Sequence, residues 1–100
     1  MEPYYLVDVY LPQRVSADPR FITLRKQWSA AFGGTTRIMG CGMFKQEAEE
    51  DIAVYRIYMP SSLVRDDVVS YFAAVRKDLE KTFSEEKEFL ITFSEGHYFV

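Results

Sequence analysis

The sequence predicts an α+β domain of four strands and two helices, and three observations lead to that class. Four short runs, at 4–11, 35–45, 51–60 and 87–93, are rich in β-branched, aromatic and other apolar residues. Two longer segments place their apolar residues at helical spacing. The six follow one another as strand, helix, strand, strand, helix, strand, and 100 residues suffice for one domain, 1–100, with its own core.

The first run, YYLVDVYL, is apolar on both alternating sets and ends at Pro12, which suits a central strand packed on both faces. One set is Tyr5, Val7, Val9 and Leu11; the other is Tyr4, Leu6, Asp8 and Tyr10, with Asp8 its anomaly. A polar loop follows. Asp18 then stands at an N-cap position and Pro19 at the first helical position, ahead of Phe21, Leu24, Trp28, Ala31 and Phe32 on one helical face. Gly33 and Gly34 come after the last of these. That placement reads as a left-handed helix cap, because a phosphate-binding loop sets its glycines before a helix.

In TTRIMGCGMFK, Thr36, Ile38, Gly40, Gly42 and Phe44 alternate with Arg37, Met39, Cys41 and Met43. The first set is expected to face the helices, its two glycines leaving room for Trp28 or marking a bulge. QEAEED reads as a solvated turn; it shares only charge with a calcium loop, lacking the spaced acids, turn glycine and terminal glutamate. The third strand alternates Ala53, Tyr55, Ile57 and Met59 with Ile52, Val54, Arg56 and Tyr58. Ser61 or Ser62 is expected to cap the second helix, whose stripe is Val68, Phe72, Val75, Leu79 and Phe83. Asp66 and Asp67 lie near its positive end and Arg76, Lys77 and Lys81 toward its negative end. The last strand, KEFLITF, sets Phe89, Ile91 and Phe93 opposite Leu90 and Thr92, and SEGHYFV reads as a tail.

The chain is 48% hydrophobic and 16% aromatic, high enough to argue against disorder and to leave apolar surface for a partner. Its net charge is −3, with basic residues dispersed among acids, so the electrostatic footprint of nucleic-acid binding is missing. One cysteine makes no internal disulfide, the first residues do not resemble a secretory leader, and charges interrupt every apolar run before membrane-spanning length. A cytoplasmic protein, not bound to membranes, is the expectation.

DVYLPQ, AAFGGTTR and LEKTFSEEKEFLITFS, together with the order of elements, resemble small stand-alone bacterial proteins of the ferredoxin-like α+β sandwich, a group of uncharacterised function. The likeness covers nearly the whole chain. It implies a βαββαβ fold: a four-stranded antiparallel sheet, right-handed crossovers, both helices on one face, and the first and third strands side by side at the centre in parallel. No catalytic residue transfers with it. It also extends, more distantly, to dimeric α+β barrels, in which two such sheets face each other around a cleft. The open face would then carry Tyr4, Leu6, Asp8, Tyr10, Arg37, Met39, Cys41, Met43, Arg56, Tyr58, Leu90 and Thr92.

So apolar a face needs a cover, and a homodimer is the simplest. Asp8, Tyr10, Arg37, Met39, Cys41, Arg56 and Tyr58 are therefore the candidates for an interface or a small-ligand site. Asp8 and Arg56 are expected to pair across neighbouring strands, whether to neutralise each other or to orient a polar ligand. The alternative is a cofactor-free oxygenase or isomerase for an aromatic substrate, with Asp8 or His97 as base and Arg56 orienting. Cys41 reads as an inert thiol, and one histidine with one cysteine falls short of the four ligands of a structural zinc site, so neither metal nor cofactor is expected. A further partner is conceivable at an outer edge, where the second or fourth strand can accept an added strand.

Overall fold

The computed structural model describes residues 2–42, 50–60, 62–86 and 89–99. Its elements are β1 (Glu2–Pro12), α1 (Gln13–Ser16), α2 (Pro19–Phe32), β2 (Thr36–Gly42), β3 (Glu50–Pro60), α3 (Arg65–Thr82) and β4 (Leu90–Tyr98). This is the expected βαββαβ order with one short helix added to the first crossover. That helix occupies the segment read as a polar loop, where Val15 turns inward and is buried. Pro12 remains within β1, opposite Ile52.

The sheet order is β2-β3-β1-β4, and every neighbouring pair is antiparallel. The two central strands thus run against each other, with Val7 opposite Ile57 and Asp8 opposite Arg56, not in parallel as the resemblance implied. The direction follows from connectivity. A helix returns the chain so that β2 runs the way β1 does; the reversal into β3 then opposes both.

Alternation on β1 and β3 sends Val7, Val9, Leu11, Ala53, Tyr55, Ile57 and Met59 into the core, each at most 1% exposed. Phe21 and Trp28 meet them from α2; Val68, Phe72, Val75 and Leu79 do so from α3. Trp28 sits at the middle of the aromatic contacts, 5.7 Å from Phe21 and 5.8 Å from Phe72 between ring centroids. Removing each large side chain from water contributes about 1.5–3 kcal/mol, so this layer dominates stability. Trp28 Nε1 is buried without a hydrogen-bond partner among the described residues, a local cost accepted for the ring's volume.

The caps follow the chemistry of their residues. Asp18 accepts the Arg20 backbone N–H at 2.9 Å and Pro19 opens α2. Gly33 closes it with φ +85°, a left-handed conformation that disfavours a Cβ, and its N–H reaches Ser29 O at 3.1 Å. α3 has Asp66 and Asp67 in its first turn and Lys81 in its last. Its cap position is Val64, which makes no side-chain bond, so Ser62 does not cap it; Ser61 lies outside the described residues.

β4 departs most from expectation. It continues through Ser94, Glu95, Gly96, His97 and Tyr98, residues read as a tail, and Glu2 pairs with Tyr98 at its end. Met43, Phe44 and most of the acidic QEAEED run lie outside the described residues; Glu50 and Asp51 belong to β3.

Candidate functional site

The face of the sheet away from α2 and α3 is the candidate site, because no described element lies over it. Cross-strand partners share a face, so the register places Tyr4, Leu6, Asp8 and Tyr10 of β1 beside Pro60, Tyr58, Arg56 and Val54 of β3. On the other flank of β1 they meet Gly96, Ser94, Thr92 and Leu90 of β4. Tyr58 and Leu90 are more than half exposed, and Ile38 and Tyr98 are also exposed.

Near the centre lies the Asp8–Arg56 pair. The strands hold the two residues directly opposite, and the guanidinium donates twice: Nε to Asp8 Oδ1 and Nη2 to Asp8 Oδ2, both at 3.0 Å. The Asp8 side chain is 8% exposed and that of Arg56 35%. A short carboxylate so deeply placed requires its partner, whereas the guanidinium keeps one edge toward solvent. The hydrogen bond to Asp8 holds the Arg56 guanidinium above its ordinary pKa; the Asp8 charge adds to this and the nearby Tyr58 phenol contributes less. Arg56 is a fixed cation, and its charge is locally offset.

A tyrosine cluster continues from this pair toward the end of the sheet. Tyr4 meets Tyr58 edge-on at 5.4 Å between centroids and Tyr98 at 6.1 Å. With Met59 and Pro60 these rings line a groove of about 340 Å³. Gly96 makes the arrangement possible. It pairs with Tyr4, and a Cβ there would fall 2.7 Å from the Tyr4 hydroxyl oxygen and 2.8 Å from Cζ, so any larger residue displaces the ring.

Of the residues proposed from sequence, Asp8, Tyr10, Arg56 and Tyr58 come together on this face. Arg37, Met39 and Cys41 do not. They pair with Tyr55, Ala53 and Asp51 and so project to the helix side, while Thr36, Ile38, Gly40 and Gly42 take the open side. The assignment was reversed because β2 is an edge strand with little burial on either side, leaving no burial contrast to choose a face. Gly40 and Gly42 therefore make no room for Trp28, which lies across the sheet. Cys41 contacts Asp51 at 3.7 Å. His97 pairs with Pro3 on the far edge strand, so Cys41 and His97 stand at opposite ends of the sheet, roughly 30 Å apart along the strands. Among the described residues no group of three or more His, Cys, Asp or Glu is placed to hold a metal.

Sequence reasoning placed Tyr4 on this face without naming it among the site candidates, and it omitted Gly96 and Tyr98. A signal for both was present: Thr92, Ser94, Gly96 and Tyr98 keep the two-residue period of KEFLITF into the supposed tail. No protein-family model matches the chain, and no curated protein matches it.

Proposed function

We propose that this chain is a noncatalytic assembly module whose open sheet faces pair in a homodimer, in keeping with its resemblance to small stand-alone bacterial proteins and to dimeric α+β barrels, and that it works in the cytoplasm. The observation carrying the reading is the open face itself: Ile38, Tyr58, Leu90 and Tyr98 are exposed around a charge pair already neutralised within the subunit. Such a face needs no charged partner and loses little on desolvation of Asp8. Four strands at about 4.8 Å spacing and roughly 30 Å long present close to 600 Å² per copy. Two copies would bury about 1,200 Å², at the threshold of a stable interface, so a dimer of modest affinity is expected.

The alternative of an enzyme finds less support in the geometry. Both oxygens of Asp8 are engaged by Arg56, and His97 projects to the other side of the sheet. Neither is presented as a base toward the open face.

Sedimentation velocity over a concentration series tests the proposal. The wild-type chain should shift from one to two copies as concentration rises, and Tyr58→Glu and Leu90→Lys should each hold it monomeric. Val69→Lys, at an exposed position on α3, should leave association unchanged. A wild type that stays monomeric throughout, or one dissociated only by the α3 substitution, overturns the reading.

A further inference from the structure

We infer that the helix side of β2, beside α2, holds the phosphate group of a small phosphomonoester between Arg25 and Arg37, with the Tyr55 hydroxyl as a third donor. The place lies across the sheet from the face assigned to a second copy, so it goes beyond that reading and does not depend on it.

Charge singles out this corner of the molecule. The chain has a net charge of −3, yet residues 19–42 hold Arg20, Arg25, Lys26 and Arg37 and no Asp or Glu. Arg14, Arg20, Arg56, Arg65 and Arg76 are each ion-paired with a carboxylate. Arg25 and Arg37 complete the arginines of the chain, and neither has a carboxylate partner among the described residues.

Tyr55 brings these two together. Its side chain belongs to the core, 1% exposed, with its ring 5.0 Å from that of Phe21 between centroids. Arg25 Nη1 donates to the Tyr55 hydroxyl oxygen at 3.3 Å, and the guanidinium carbon lies 5.7 Å from the ring centroid, so β3 holds this α2 side chain in position. Arg37 stands directly opposite Tyr55 in the β2–β3 register. Residues so paired have Cβ atoms about 5 Å apart and leave the sheet on the same side. The hydroxyl accepts from Arg25, but its own proton has no acceptor among the described residues. A buried phenol ordinarily has one, and an incoming oxyanion supplies it.

Room and ligand class follow from the same residues. α2 packs on β3, while Arg37, Met39 and Cys41 of the edge strand stay exposed on the helix side. Elsewhere in the chain one carboxylate grips one guanidinium through two hydrogen bonds, as Glu86 does Arg14 and Asp8 does Arg56. Two uncompensated guanidiniums and a phenol proton match twice that charge and a third acceptor. A phosphate monoester has both, with a charge of about −1.5 to −2 at neutral pH and three strong acceptor oxygens. Met39, 44% exposed and next to Arg37 on the same side of β2, offers apolar surface to the body of the ester.

NMR titration of the whole chain at neutral pH and fixed ionic strength, with phenyl phosphate, inorganic phosphate and benzoate, tests the site. Phenyl phosphate should shift the Nε–Hε signals of Arg25 and Arg37 and bind about fivefold tighter than benzoate, which satisfies only one guanidinium. Inorganic phosphate should move the same signals with lower affinity. Arg37→Gln, at an exposed position, should weaken phenyl phosphate binding about tenfold. Tyr55→Phe keeps the ring and should weaken it about three- to fivefold with the Trp28 signals unmoved, which reports an intact core. Lys77→Gln, an exposed cation on α3, should leave it unchanged. No shift at either arginine, benzoate binding as tightly as phenyl phosphate, or an equal loss in Arg37→Gln and Lys77→Gln overturns the site. Inorganic phosphate binding as tightly as its phenyl ester overturns the assignment of an ester.

Discussion

The two faces of the sheet are built from alternate residues of the same strands, yet they meet different surroundings. On β3, Ile57 is 0% exposed beneath the helices while its neighbour Tyr58 is 52% exposed on the other side. β1 alternates in the same way between Val9 and Tyr10. The helix-covered face gains its burial within one chain and determines stability. The open face carries apolar side chains without that cover among the described residues, which is the ground for the proposed homodimer. The outer surface of α3 offers a second contrast: Val64, Val69 and Tyr71 are exposed there too, but Arg65, Asp66, Asp67, Arg76 and Lys77 surround them with charge. Exposed apolar residues broken up in this way are ordinary; a sheet face whose centre holds one internally paired charge couple, with the acids Glu2 and Glu50 only at the strand ends, is not.

The contrast is broken most severely from the covered side. Trp28→Ala removes the ring that joins α2 to α3, and a loss of about 3–5 kcal/mol is expected in urea unfolding. A loss below 1 kcal/mol would mean that this layer is not the principal core. On the open face, Asp8→Ala removes two charge-assisted hydrogen bonds from a partly exposed pair and should cost about 1–2 kcal/mol by the same measurement. Gly33→Ala forces a Cβ into a left-handed backbone and should lower stability by about 1 kcal/mol. Tyr58→Glu should alter the unfolding free energy of the monomer by less than about 0.5 kcal/mol while weakening association, which is the sharpest separation of the two faces.

The smallest effect is electrostatic. The Arg20 side chain and then its backbone N–H hold the Asp18 carboxyl below its ordinary pKa. A group lowered on folding contributes stability above its unfolded pKa, near 4, and loses it as pH falls through the folded value. The thermal midpoint of wild type should therefore fall more steeply below pH 4 than that of Asp18→Asn, and parallel curves would contradict the capping role.

Legibility in the sequence followed burial contrast. β1 and β3 alternate between full burial and partial exposure, so the inward sets of both and the Asp8–Arg56 pairing were readable from spacing and fold resemblance together. α2 carries its start and stop in Asp18, Pro19 and Gly33. β2 has similar exposure on both sides and no such contrast, and Arg37, Met39 and Cys41 were placed on the wrong one. β4 was cut short because Glu95, Gly96 and His97 have weak strand propensity; pairing with β1 supplies the order their own chemistry lacks. Tyr4 and Gly96 became a unit only through that cross-strand register, which spacing within one strand cannot encode.

The most direct measurement is an isotope-filtered NMR experiment on a mixture of labelled and unlabelled copies. Contacts between copies should arise from Ile38, Tyr58, Leu90 and Tyr98. Contacts confined to residues of α2 and α3, or none at concentrations where the mass is that of two chains, would contradict the assignment of the open sheet face as the surface that a second copy covers.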